Sequence, residues 1–160
     1  MSIQRIQLLK RKKIAHSKEE KRHIATLLGN KKEEMARIRV EHIIRDDCNV
    51  EGLEIIEMLC ELVHERITLI TKNKTVPSDL VSAVCGLIWS ADQIDIEELR
   101  DVATQLKKKY GSKFVDEVHA DPSKNVNPRL IKKLSTAPPT GNTILHLCHM
   151  SIYYSNSFIK

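Results

Sequence analysis

The chain has 160 residues, 41% of them hydrophobic but only 4% aromatic; this is enough for one domain with a core, and the dominance of Leu, Ile and Val favours helices packed on helices over a twisted sheet. The net charge of +5 hides a segregation: residues 1–32 hold ten Lys or Arg against two Glu, a net +8, residues 33–66 carry a net −6 and residues 67–160 a net +3. The first element is therefore a cationic rod suited to an anionic membrane, a nucleic acid or an acidic protein surface, and the lack of a signal peptide or of an apolar run of ~18 residues argues against export and membrane spanning.

A first helix is predicted from about Ile3 to Leu28, with Ile3, Ile6, Ile14, Ile24 and Leu28 on one arc at ~100° per residue and charged side chains over the rest. Gly29-Asn30 ends it, and Asn30 with Glu33 has the spacing of a capping box for the next helix. That second helix has no proline and one interior glycine, Gly52, so it is expected to run from Lys31 to about Thr71, some ~60 Å. Val40, Ile43, Ile44 and Val50 form one apolar face. Ile55, Ile56, Leu59, Leu62, Val63, Ile67 and Ile70 form another, rotated away from the first, so different helices should pack against the two halves.

Within this helix ARIRVEHIIRDD, residues 36–47, concentrates charge. Arg37 with Glu41 and Glu41 with Arg45 have i,i+4 spacing, which supports a helix without requiring an active site. Further on, Pro77 precedes a short apolar helix, Asp79 to Trp89, in which Trp89 is expected in the core. Asp95 and Glu98 offer a second capping box before a helix to Tyr110, whose last turn carries Lys107, Lys108 and Lys109 as the helix dipole favours. Ser112 is placed to cap a helix to about His119, and Asn127-Pro128 to start one through Leu134.

Motifs for chemistry are missing. There is no phosphate-cradling glycine loop, GxSxG elbow or paired CxxC, and HERIT at 64–68 has Thr68 where a zinc protease needs its second histidine. His64 follows Glu61 at the Glu-x-x-His spacing only once, whereas a ferritin-like site needs two such motifs. His146, Cys148 and His149 lack a second ligand cluster, and the widely separated Cys48, Cys60, Cys85 and Cys148 read as reduced thiols. No catalytic residue, cofactor or metal is expected.

ARIRVEHIIRDD, VEGLEIIEMLCELVHERITLI, SAVCGLIWSA, VATQLKKKYG and VNPRLIKKLSTAPP, in this order, closely resemble the amino-terminal domain of the increased sodium tolerance family, related to the ESCRT-III membrane-remodelling proteins. The resemblance covers about residues 3–139. It implies an all-α, elongated helical hairpin backed by shorter helices, an ESCRT-III-like core over residues 1–139, followed by a divergent tail at 140–160. It also implies a nonenzymatic regulator or subunit of ESCRT-III in multivesicular-body sorting, cytoplasmic and peripherally associated with endosomes. The partners would be the charged multivesicular body proteins, in a homo- or hetero-polymer.

The chain begins inside what looks like the first family helix, and its ending, TGNTILHLCHMSIYYSNSFIK, carries no identifiable MIT-binding motif. Direct recruitment of an MIT domain or of the AAA ATPase is therefore not expected of it. Lys12, Lys13, Lys18, Lys21 and Arg22 are the candidate membrane or assembly surface. Arg39, Arg45, Glu54, Glu57, Glu61 and Glu65 are the candidate partner surface. Two alternatives stand beside this reading: a nucleic-acid-binding helical protein, which the acidic second helix and the lack of interleaved aromatics oppose, and a truncated, inactive product.

Overall fold

The computed structural model describes residues 2–135; the predicted tail, with His146, Cys148 and His149, lies outside them. The described residues hold seven α-helices: α1 (Ser2–Gly29), α2 (Glu33–Glu65), α3 (Ile67–Lys72), α4 (Val81–Gln93), α5 (Glu97–Tyr110), α6 (Ser112–Ala120) and α7 (Pro128–Leu134), with a 3-10 turn at Pro122–Lys124. No strand occurs among them. They divide into two compact units, one built from residues 2–10 and Glu51–Ser135, the other from Arg11–Val50.

The smaller unit is the reversal of α1 into α2. Its core is slim: Ile24 and Leu27 from α1 meet Ala36, Val40, Ile43 and Ile44 from α2. Beyond these residues the α1 face turns polar, and Lys13, Ser17 and Lys21 reach Asp46 and Asp47 of α2 at 2.7, 2.9 and 3.1 Å. Ile14, expected on the buried arc, is 41% exposed. It lies about 80° around the helix from Ile24, and the seam runs through Lys13 and Ser17 instead.

The turn between the helices also differs from expectation. Lys32 N–H donates to Leu27 O and Lys31 N–H to Leu28 O, the Schellman pattern of a helix end. The left-handed residue is Lys31, at φ 59°, and neither Gly29 nor Asn30. Ala36 N–H donates to Lys32 O, so Lys32 and not Asn30 is the N-cap of α2, and the Asn30 capping box does not form.

In the larger unit α4 is the central element, buried without interruption from Ala83 to Ala91, Trp89 included. The second apolar face of α2 meets it through Ile55, Ile56 and Val63, with Ile6, Leu99, Val118 and Leu130 completing the core. Two glycines set the closest approaches. A Cβ on Gly52 of α2 would lie 2.5 Å from Leu134 Cδ2 of α7, and one on Gly86 of α4 2.8 Å from Leu59 Cδ1.

The second helix is not continuous to Thr71. It breaks at Arg66, a turn residue at φ −100° and ψ 17°, after which α3 restarts. Arg66 extends to Asp79 at 3.4 Å, and the restart buries Ile70 at 3% exposure while leaving Ile67 48% exposed. Asp95 does not cap α5, which has no side-chain cap, and pairs instead with Arg100 at 2.8 Å. Ser112 is the first residue of α6 and makes no cap, its place being taken by Gly111 at φ 91°. Asn127 behaves as expected, accepting from Arg129 N–H at 2.9 Å.

These positions make stability differ in sign among similar substitutions. A methyl group at Gly29 would meet open space, so Gly29→Ala should raise unfolding free energy by about 0.5–1 kcal/mol. Gly52→Ala should lower it by about 1 kcal/mol or more through overpacking against Leu134. Lys31→Gly, which relieves the left-handed lysine, should add up to about 1 kcal/mol. Urea unfolding of the three variants checks the signs.

Candidate functional site

The most open apolar feature of the larger unit is a groove of about 730 Å³ between the end of α2, α3 and α5, with the first residues of α1 at one side. Its floor includes Cys60, Val63 and Leu87, and its walls carry Ile67 and Ile70 from α3 and Val102 and Leu106 from α5. The break at Arg66 creates it, because an unbroken α2 would not set Ile67 and Ile70 on a separate wall. Ser2 Oγ donates to Glu98 O at 3.3 Å at one end, and Lys109 Nζ to Thr71 O at 3.2 Å at the other.

The ends of the groove differ in charge. Glu98 and Asp101 line the beginning of the α5 wall, and Lys108 and Lys109 its end, a distance of about 16 Å along the helix. Burial, then the nearby Glu57 and Glu61 carboxylates, push the Cys60 thiol up to about 11, so it stays protonated and offers no thiolate nucleophile. The groove can hold an apolar surface and orient it by its charged ends. Among the described residues no group of His, Cys, Asp or Glu is arranged to hold a metal ion, and no helix is long and apolar enough to cross a membrane.

The structure divides the residues expected to form surfaces. Lys13 and Lys21 belong to the internal seam with Asp46 and Asp47, whereas Lys12, Lys18 and Arg22 are exposed and ion-pair with no carboxylate among the described residues. Arg39 crosses to Glu20 on α1 at 2.7 Å, and Arg45 is exposed. The i,i+4 pairs of Arg37 and Arg45 with Glu41 do not form among the described residues. Glu57 is a structural carboxylate, accepting from Lys10 and from Gln7 on α1. Glu54, Glu61 and Glu65 remain exposed on α2.

Two features are not visible in the sequence pattern. Arg11 is exposed beside Lys18 and Arg22 and belongs to the same basic face. The groove itself is hidden because Ile67, Val102 and Leu106 carry the same periodicity as core residues; only a break in α2, which no Pro or Gly marks, separates them.

The family description "Ist1: Regulator of Vps4 activity in the MVB pathway" matches residues 1–151. The chain belongs to the increased sodium tolerance, or Ist1, family. It is 44% identical over 144 residues to an IST1-like protein of Dictyostelium discoideum, covering 90% of this chain and 39% of the relative. It is 33% identical over 170 residues to the vacuolar protein sorting-associated protein IST1 of Saccharomyces cerevisiae, covering 100% of this chain and 57% of the relative. The chain thus spans between two-fifths and three-fifths of the length of these Ist1 proteins. Among solved structures, the S. cerevisiae Ist1 N-terminal domain in complex with a Did2 MIM motif superimposes with a TM-score of 0.88 at 30% identity, covering 96% of this chain and 86% of that one. The all-α, ESCRT-III-like fold implied by the resemblance is the fold of this Ist1 domain.

The Glu57 contact gives a pH signature. Lys10, and then Gln7, hold its carboxyl below the ordinary 4.5 against the opposing effect of burial. Its stabilisation is therefore present above about pH 4.5 and lost as pH falls through the depressed folded value. Glu57→Gln should cost about 1–2 kcal/mol at pH 7, and the difference from the parent should vanish as pH is lowered through that window. Glu61→Gln should stay within about 0.5 kcal/mol throughout. Urea titrations across pH measure both.

Proposed function

We propose that this chain is a nonenzymatic regulator of ESCRT-III assembly in multivesicular-body sorting, and that its groove receives a helical MIM-type segment of an ESCRT-III partner of the charged multivesicular body class. The supporting observation is the fold match to an Ist1 domain captured with a MIM motif, together with an apolar groove bounded by exposed Ile67 and by Val102. An amphipathic helix laid in such a groove buries its apolar face, and the charged ends select its direction. Cytoplasmic residence and peripheral attachment to endosomes would follow from the partner. Recruitment of the ATPase by this chain itself is not part of the proposal.

Fluorescence polarisation with a labelled MIM peptide tests the groove. The parent should bind in the micromolar range, about −8 kcal/mol. Ile67→Asp and Val102→Asp should each weaken binding at least about tenfold, with unchanged helical circular dichroism. Binding that ignores both substitutions would sink the groove assignment.

A further inference from the structure

The basic end of the groove continues past its wall. Lys109 Nζ donates to Thr71 O at 3.2 Å, which brings the end of α3 against the end of α5, and exposed Lys72 and Lys74 follow in the chain. Exposed Lys113 lies four residues beyond Lys109, on the far side of the Gly111 turn. With Lys108 and Lys109 this makes five ammonium groups around one corner, none of them ion-paired among the described residues. Helix ends account for only part of the cluster. Lys72, Lys108 and Lys109 stand in the last turns of α3 and α5, where a cation meets the negative end of the helix dipole. Lys74 lies beyond the cap of α3, and Lys113 stands in the first turn of α6, the positive end, where an acid would be favoured and none is present. Lys108 and Lys109 line the groove whereas Lys72, Lys74 and Lys113 do not, so the cluster extends the groove outward.

Building on the groove as a helix-binding site, we infer that its partner is an amphipathic helix with an acidic extension on one side only, and that this extension lies over Lys72, Lys74 and Lys113. A helix of about eleven residues spans the wall from Glu98 to Lys109, so its next turn leaves the groove between the ends of α3 and α5. Carboxylates placed there face ammonium groups that have no competing ion pair among the described residues. At the opposite end they would meet Glu98 and Asp101, a like-charge contact. The apolar groove supplies most of the affinity. The extension selects among partners that share an apolar face and fixes the direction in which the helix lies.

The test is fluorescence polarisation with one labelled MIM peptide in four forms: unextended, extended by a run of glutamates at its amino end, extended likewise at its carboxyl end, and extended by a neutral Gly-Ser tract. At about 50 mM salt one glutamate extension, and only one, should tighten binding to the parent about fivefold to tenfold, as three exposed ion pairs allow. That gain should disappear at about 500 mM salt, and the Gly-Ser tract should give none. Lys72→Glu/Lys74→Glu/Lys113→Glu should abolish the gain while binding the unextended peptide within about twofold of the parent, which also reports an intact fold. Equal gain from both glutamate extensions, gain from neither, or a gain that survives the triple reversal would overturn the inference and leave the groove assignment standing. If the gain survives while the reversal abolishes binding to phosphatidylserine vesicles, the lysines form a membrane face instead. An unextended peptide that does not bind the parent removes the groove assignment, and the inference with it.

Discussion

The larger unit depends on the enclosure of α4. Nine consecutive residues of that helix, Ala83 to Ala91, are withdrawn from water, and an all-round apolar helix is stable only where neighbours cover every side. Gly86 lets Leu59 pack where a Cβ at that position would crowd it, and Gly52 does the same for Leu134. Glycine in a helix interior sacrifices about 1 kcal/mol of propensity; here that loss is offset by close packing of α2, α4 and α7. Glu51 adds a polar clasp to the same junction, accepting from Lys133 and Arg129, and Lys133 is the main cause of its depressed pKa.

The smaller unit is held differently. Six buried apolar residues are too few to stabilise a long helix pair over its whole length, and the remaining contact is made by charged groups at the edge of water. Asp46 and Asp47 are adjacent in sequence, yet both reach α1, because Lys13 lies one turn before Ser17 and Lys21 one turn after it. The buried Ser17 hydroxyl lets Asp47 share its charge between a neutral donor and an ammonium. Such a seam specifies which residues of α1 lie opposite α2 more sharply than it stabilises them, since exposed ion pairs contribute little each. The same economy of apolar surface leaves Lys12, Lys18 and Arg22 exposed on the outside of α1, with no ion-pair partner among the described residues.

Much of the fold was legible because it rests on period and punctuation. The apolar repeats of α1, the two rotated faces of α2, the burial of Trp89 and the Asn127-Pro128 start all arise from local rules. The groove and the seam arise from pairing between distant segments. Lys13, Ser17 and Lys21 reveal an inward face only once Asp46 and Asp47 are known to lie opposite, and without that register Ile14 was the more plausible inward residue. The Arg66 break carries no Gly or Pro; it accompanies the burial of Ile70, with the exposed Arg66–Asp79 contact alongside it. Capping boxes at Asn30 and Asp95 failed for a related reason: the left-handed turn moved to Lys31, and Asp95 found Arg100. The family, by contrast, was readable because several ordinary stretches agreed in order along the chain.

The pairing of Lys13 with Asp46 also bears on how the domain assembles in time. The larger unit is interrupted in sequence by the forty residues from Arg11 to Val50, so its first helical turns must find a partner segment far along the chain. Closing a flexible loop of that length carries an entropic cost of about 3 kcal/mol. A hairpin that forms first, from contacts between near neighbours around the Lys31 turn, meets most of that cost in advance by holding its own two ends together. Closed in this way, the slim, polar unit shortens the loop that the larger core has to close.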